Sequence, residues 1–332
     1  MSVRIEDYEE ELYRKIKVLN EITWEYRANR PNINEWLSNF SDSKEKLHAL
    51  FMLSQFMYFG NLQMRELLKC IYRDLYKYPK IEFIRKSLSN TFDMNLILAE
   101  FLIAETKTRF LGVGNPSESG THLLYFFRQE NRLRKDLFIN IHEIFKTNEN
   151  GGIELANSNI NHYVFIDDFC GSGSQAIRNS KEVIKLINDL DPSIETSYLM
   201  LFATSDGKNT VKTKTLFTHV DTVVELDNSF KLFDIDSRYF KNISSHIERV
   251  FLQKMCEEHG RKLMTSIYQE EGKTDPTLTK WVERDKLGFR DSQLLIGFHH
   301  NTPNNTLPVL WYDEAMMKWF PIFRRYNKIY GL

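Results

Sequence analysis

The chain contains few cysteines, and its positive and negative charges nearly balance. Its three cysteines, Cys70, Cys170 and Cys256, lie far apart without the spacing of a metal site, which indicates a reducing compartment. Lysine and arginine number 44 against 45 acidic residues, so no global charge draws the chain to nucleic acid or to an anionic membrane.

Long apolar runs are also missing. No run approaches the roughly 20 residues of a membrane span, and the polar, acidic first residues do not form a signal peptide. We therefore expect a cytoplasmic protein. What is present is ordinary globular composition, with 42% hydrophobic, 27% charged and 13% aromatic residues in a chain of 332. That length allows one large domain or two of ordinary size.

The first third of the sequence has helical periodicity. Apolar residues recur at helical spacing around residues 5–19, 47–58, 67–78 and 94–105, and Pro79 ends the third stretch. No convincing strand alternation occurs there. We predict an all-helical N-terminal region over residues 1–108.

The pattern changes near residue 109. Apolar runs of the buried-strand type alternate with loops and amphipathic helices, which predicts an α/β domain with a parallel sheet over residues 109–332. A helical period also runs from Leu137 to Phe145. The predicted strands are Arg109–Val113, Tyr163–Ile166, Tyr198–Ala203, Val220–Leu226 and Leu294–Phe298.

One segment, Val164–Ala176, combines three chemical features. A buried strand delivers Asp167 and Asp168 at its end, a glycine and serine loop follows, and an amphipathic helix begins directly behind. Loop amides and the helix dipole favour an anion such as phosphate. Two carboxylates beside a phosphate are tolerated when they bind sugar hydroxyls or a divalent cation. A phosphorylated ribose meets both demands.

Other nucleotide motifs fit this segment less well. A P-loop is excluded because no Lys-Ser/Thr pair follows the glycines. Gly171, Gly173 and Ala176 match a dinucleotide-binding pattern, but Asp206 lies about 30 residues further on instead of roughly 20. Asp168–Gly173 looks like the first motif of S-adenosylmethionine-dependent methyltransferases, although no Asp/Asn-Pro-Pro-aromatic element follows.

The segment resembles the ribose-phosphate motif of type I phosphoribosyltransferases, which have four apolar residues, two acids and a small-residue phosphate loop. The resemblance implies that Asp167 and Asp168 are catalytic, face the ribose hydroxyls and hold Mg²⁺. It also implies that the loop wraps the 5-phosphate. Gly171 and Gln175 depart from the usual pattern. The loop residues are Gly171, Ser172, Gly173, Ser174 and Gln175.

An earlier loop supports the same resemblance. In such enzymes a preceding strand ends in a loop that binds pyrophosphate, and Asn115–Gly120 follows Arg109–Val113 in the right order. The implied pyrophosphate-loop residues are Ser117, Glu118, Ser119 and Gly120. The alternative is an ordinary strand-to-helix turn with Ser119 as the N-cap.

More widely, the chain resembles the phosphoribosyltransferase-like proteins of bacterial anti-phage conflict systems, some of which are encoded beside reverse transcriptases, as in retrons. The resembling parts are Phe110–Gly120, Tyr163–Ala176 and Ile296–Trp311. The implied fold is a type I phosphoribosyltransferase sheet with helices on both faces, plus the N-terminal helical region. The amides of Asn301, Asn304 and Asn305 suit the edge of a nucleobase, or else form a turn network.

The resemblance implies an enzyme that binds a phosphoribosyl pyrophosphate-type or nucleotide ligand with Mg²⁺ and acts at ribose C1 in defence against phage. Two alternatives stay open, a non-catalytic nucleotide sensor of the same fold and an S-adenosylmethionine-dependent methyltransferase. The expected partner is a reverse transcriptase with its non-coding RNA–DNA, bound through the N-terminal helices. A homodimer is compatible with the sequence.

Overall fold

The computed structural model describes residues 4–114, 119–241, 243–314 and 316–326. Short 3₁₀ turns cover Lys135–Leu137, Ile141–Ile144, Asn228–Phe230 and Arg238–Phe240, and a π-helical stretch covers Ile71–Lys77. The helices and strands in chain order are α1 Ile5–Ile22, α2 Arg30–Leu37, α3 Ser43–Leu53, β1 Met57–Phe59, α4 Asn61–Cys70, α5 Tyr78–Ser87, α6 Met94–Thr106, β2 Thr108–Gly112, α7 Ser119–Glu130, β3 Phe145–Thr147, β4 Ile153–Leu155, β5 His162–Cys170, α8 Ser174–Leu190, β6 Glu195–Thr204, α9 Ser205–Lys214, β7 His219–Leu226, α10 Arg249–Glu270, α11 Thr277–Asp285, β8 Ile296–Phe298 and α12 Pro308–Trp311.

The chain forms two compact units. One contains Met1–Leu62 together with Asp227–Leu332, and the other contains Gln63–Leu226. The predicted division at residue 108 rested on a change of sequence pattern, and it does not coincide with these bounds. The helices between residues 63 and 106 belong to the same unit as the main sheet.

The unit Gln63–Leu226 is built on a four-stranded parallel sheet in the order β2-β5-β6-β7. Strand β5 is central, with Gly112 paired to Ile166 on one side and Asp167 paired to Met200 on the other. Because β5 is covered on both faces, it is a nearly continuous apolar run, as in other buried parallel strands. The predicted α/β fold with a parallel sheet is confirmed.

Helices cover both faces of this sheet. On one face, Ile184 of α8 and Val211 of α9 share a core with Phe165 and Tyr198. On the other face, the Phe110 ring lies 5.3 Å from that of Phe127 in α7 and 5.1 Å from that of Tyr76, measured between centroids. Alternation along β2 and β5 sorts these side chains between the two faces.

The other unit packs helices α1–α3 with α10–α12 around a separate apolar core. Its parallel strands β1 and β8 pair Tyr58 with Gly297. The indole nitrogen of Trp36 donates to the Val309 carbonyl at 2.8 Å, which ties the two chain segments together. The predicted strand at Leu294–Phe298 is therefore present, but it pairs with β1 and not with the four-stranded sheet.

Some local predictions were wrong. Met57 and Tyr58 lie in a strand because α3 ends at Leu53 and the backbone then pairs with β8. The expected helix from Leu137 to Phe145 is a set of short 3₁₀ turns followed by β3. The helical stretch does not end at Pro79, because the π-helical residues Ile71–Lys77 pass directly into α5, which has Pro79 in its first turn.

Among the residues that the structure describes, no helix has both the length and the apolar character to cross a membrane.

Candidate functional site

The candidate site lies at the carboxyl end of β5. The strand runs through Asp167 and Asp168 to Cys170, and the chain then turns through residues 171–173 into α8. Because side chains alternate along a strand, Asp167 shares the face of Phe165, and Asp168 shares the opposite face with Ile166. The adjacent acids therefore meet different surroundings.

Asp167 is bound on both of its carboxyl oxygens by the protein itself. Tyr198 donates its hydroxyl to Oδ2 at 2.6 Å, and the backbone N–H of Asp168 donates to Oδ1 at 2.9 Å. Burial raises the pKa of Asp167 well above its ordinary range, and repulsion from the Asp168 carboxylate raises it further. Asp167 thus keeps a proton more readily than an ordinary aspartate and braces the strand end.

Asp168 is placed differently. Its Oδ1 accepts the backbone N–H of Phe169 at 2.8 Å, and like Asp167 it is partly accessible at the strand end. The neighbouring strand β2 ends opposite Ile166, so the chain leaves β2 beside this acid. Of the two carboxylates, Asp168 is the better placed to meet a ligand outside the sheet edge.

The loop after β5 is held by the turn that follows β6. Thr204 caps α9 by accepting the N–H of Gly207 at 2.9 Å, and its hydroxyl donates to the Gly171 carbonyl. A Cβ added to Gly207 would lie 2.5 Å from the Gly171 carbonyl oxygen, so only glycine allows this approach. Thr204 and Gly207 are site-supporting residues that sequence reasoning missed, because their contact partner comes from another strand.

The loop presents small polar groups at the start of α8. Gly173 takes a φ of +73°, a left-handed conformation that favours glycine, and serves as the N-cap of α8. The Ser172 hydroxyl lies 3.2 Å from that of Ser174, so both hydroxyls sit at the helix N-terminus. Backbone N–H groups and the dipole at such an end favour an anion. This geometry can hold a phosphate.

Cys170 closes the strand in a buried position. Burial raises the pKa of its thiol to about 12, so the thiol stays protonated at neutral pH. The position supports a packing role. The sequence alone does not indicate the role of Tyr198, because it stands within a run of apolar strand residues. Its partner Asp167 lies on a different strand.

The predicted pyrophosphate loop is described only at its end. Ser117 and Glu118 lie outside the described residues, while Ser119 and Gly120 form the first residues of α7. The loop follows β2, the strand that pairs with β5. The binding role of these four residues stays a prediction.

The asparagines of the His299–Pro308 string belong to the other compact unit. Asn301 accepts the N–H groups of Thr302 and Tyr326 at 2.8 and 2.9 Å, and Asn305 donates to the Ser292 hydroxyl at 2.6 Å. Asn304 supplies its carbonyl to the N–H of Phe289 at 2.8 Å. These bonds favour the turn network, and a base-binding role stays a prediction.

The sequence-based prediction of Mg²⁺ names Asp167 and Asp168 as its ligands. Within the described ranges, no group of three or more His, Cys, Asp or Glu side chains could enclose an ion. Mg²⁺ commonly binds through one or two carboxylates together with substrate phosphates. Asp168 can supply such a carboxylate, whereas Asp167 is committed to Tyr198.

The chain is similar to a known protein family and to a solved structure. A family profile described as PRTase-CE matches residues 33–325, which include parts of both compact units. No curated protein matches the chain significantly. A solved Helicobacter pylori Xanthine-Guanine-Hypoxanthine Phosphoribosyltransferase is similar at 11% identity, with a TM-score of 0.28, over 52% of this chain and 84% of that chain.

Proposed function

The chain belongs to the PRTase-CE family, and from this premise we propose that it binds a ribose-phosphate ligand at the carboxyl end of β5 and acts at ribose C1. The ligand class is a phosphoribosyl pyrophosphate-type molecule or a nucleotide. One observation carries the proposal. A partly accessible carboxylate, Asp168, stands at a strand end whose next residues form a glycine and serine loop at the start of α8.

Each part of the ligand has a matching part of the site. The 5-phosphate lies against residues 171–175, where hydroxyls and amide dipoles favour an anion. Asp168 accepts hydrogen bonds from ribose hydroxyls, and such bonds to a charged acceptor are stronger than neutral ones. Asp167 acts through its neighbour, because its oxygens already bind Tyr198 and the Asp168 amide.

The reaction breaks the bond between ribose C1 and the departing diphosphate oxygen, which leaves with the bonding electrons. The acceptor then forms the new bond at C1 and loses its proton. Positive charge builds on the sugar ring in the transition state, as in glycoside hydrolysis. The carboxylate of Asp168 stabilises that charge. Asp168 would supply a carboxylate to Mg²⁺, and the ion would neutralise charge on the diphosphate.

The dinucleotide-binding and methyltransferase alternatives are weakened by sequence spacing. Dinucleotide-binding sites place an acid near the end of the strand after the glycine loop, roughly 20 residues on, where it binds the ribose. Here β6 ends at Thr204 and Asp206 follows in the first turn of α9, but it lies about 30 residues after the glycines. The methyltransferase pattern lacks its Asp/Asn-Pro-Pro-aromatic element. A non-catalytic sensor of the same fold is the second candidate, because the braced Asp167 is compatible with binding that does not lead to turnover.

We also propose a role in anti-phage defence, with a reverse transcriptase and its RNA–DNA as partner. The support is the resemblance of Phe110–Gly120, Tyr163–Ala176 and Ile296–Trp311 to the conflict-system proteins. Protection of host cells should then depend on Asp168. Equal phage plating on cells with the wild-type protein and with the Asp168→Asn variant would argue against the link.

The ligand is tested by calorimetric titration of the full chain with phosphoribosyl pyrophosphate and Mg²⁺, with S-adenosylmethionine as the control. Saturable binding that Asp168→Asn weakens supports the site. Release of diphosphate in the same samples supports the enzyme, whereas binding without release supports the sensor. Uptake of S-adenosylmethionine in place of the phosphoribosyl ligand would overturn the proposal.

A further inference from the structure

Helix α6 has an unusual outward face. Within α6, Ile97 and Phe101 are the buried residues, yet the exposed side is also apolar. Leu96, Leu98, Leu102 and Ile103 are 42%, 39%, 60% and 50% exposed. The two acids of the helix, Glu100 and Glu105, flank this face and do not lie on it. A surface helix normally turns a charged or polar face to water.

The outward face of α6 is also symmetric about its own centre. Ala99, the smallest side chain on this face, lies near the middle of the helix. Leu98 and Leu102 are placed equally on either side of residue 100, along one edge of the face. Leu96 and Ile103 lie at nearly equal distances on either side of the same residue, along the other edge of the face. If a second copy of α6 packed antiparallel on this face, Leu98 of one copy would contact Leu102 of the other. Leu96 would likewise contact Ile103.

The charges at the helix ends follow the same symmetry. Asp93 caps the start of α6 by accepting the N–H groups of Asn95 and Leu96, and Lys107 follows the last residue. In an antiparallel pair, Asp93 of one copy lies beside Lys107 of the other at both ends. The two helix dipoles also oppose each other, which is favourable. A parallel arrangement would bring like charges together.

We propose that α6 is the interface of a homodimer, with two copies of the helix packed antiparallel about a two-fold axis near Ala99. A small residue at the axis lets the two backbones approach closely. The occupant of the face is a second copy of this chain, because a single two-fold operation matches both apolar edges and both charged ends. Isologous interfaces require such self-complementarity.

The first test is the molar mass of the full chain, measured by sedimentation across a concentration series. The wild type should be dimeric, and Leu102→Glu should weaken association at least tenfold. Leu102 is exposed, so this substitution leaves the fold of each copy intact, which circular dichroism would check. Ile153→Glu is the matched control, an exposed apolar residue on a different element, and should leave the dimer unchanged.

The second test locates the axis by cross-linking. Ala99→Cys should form a disulfide-linked dimer under mild oxidation. Thr106→Cys is the control on the same face, because its two copies would lie about 20 Å apart along the helix at 1.5 Å per residue. A monomeric wild type would overturn the proposal and point to a different occupant. A dimer insensitive to Leu102→Glu, or cross-linked at Thr106→Cys and not at Ala99→Cys, would overturn it as well.

Discussion

The hydroxyl of Tyr198 in β6 lies 2.6 Å from Oδ2 of Asp167 in β5, a bond between neighbouring strands of the central sheet. Tyr198 is fully buried, and its ring stacks on Phe217 at 5.4 Å, so the hydroxyl is held in place. This bond separates the roles of two adjacent acids that are chemically equivalent in the sequence. Asp167 binds Tyr198 of the neighbouring strand, whereas the Oδ1 of Asp168 accepts the backbone N–H of Phe169.

Substitution of each acid by asparagine should therefore give different results. Asp168→Asn should weaken binding of phosphoribosyl pyrophosphate about 10- to 100-fold, as expected for loss of a charged hydrogen-bond acceptor. Asp167→Asn should change it less than about threefold, because asparagine has the shape of a protonated aspartate and still accepts the Asp168 N–H. Calorimetric titration of both variants compares them. Equal losses would show that Asp167 also contacts the ligand.

The raised pKa of Asp167 also predicts a pH dependence of stability. A carboxyl whose pKa is higher in the folded state binds more protons when folded, so its contribution is full below about pH 3.9 and is lost as pH rises toward the folded value. Thermal denaturation from pH 5 to pH 8 should show Asp167→Asn gaining on the wild type as pH rises. Parallel curves for the two proteins would contradict this reasoning.

Thr204 should stabilise the loop through its hydroxyl. Thr204→Val keeps the shape of the side chain but removes both the cap on Gly207 and the bond to the Gly171 carbonyl, at a cost of about 1–2 kcal/mol. Thr204→Ser retains the hydroxyl and should stay close to the wild type. Chemical denaturation measures the free energy of unfolding of both. The prediction fails if the serine variant is destabilised as much as the valine variant.

Gly207→Ala should displace the phosphate loop. The new methyl group would lie 2.5 Å from the Gly171 carbonyl oxygen, which is backbone and cannot swing aside. We expect at least a tenfold loss of ligand affinity, measured by titration. Asn209→Ala, an exposed position on the same helix, is the control and should bind normally. Full affinity in Gly207→Ala would show that the loop does not depend on this contact.

Local patterns predicted the local structure around the site. The apolar run at Tyr163–Ile166, the small-residue loop and the amphipathic helix became β5, the turn and α8. The strand is longer than predicted and includes both acids, because pairing with β6 continues to Cys170. Met57 and Tyr58 were predicted to be helical but lie in strand β1. A three-residue strand is too short to show a period, and it depends on β8 for its pairing.

The sequence by itself determined the α/β class, the parallel sheet and the strand–loop–helix segment, because these follow from the spacing of nearby residues. The tertiary structure alone decided which acid is hydrogen-bonded to Tyr198, which threonine and glycine hold the loop, and which face of α6 is exposed. Each of these depends on groups brought together from separate strands or left unpaired at the surface. Burial and hydrogen bonding across strands, which give Asp167 and Asp168 different surroundings, have no periodic signature along the chain.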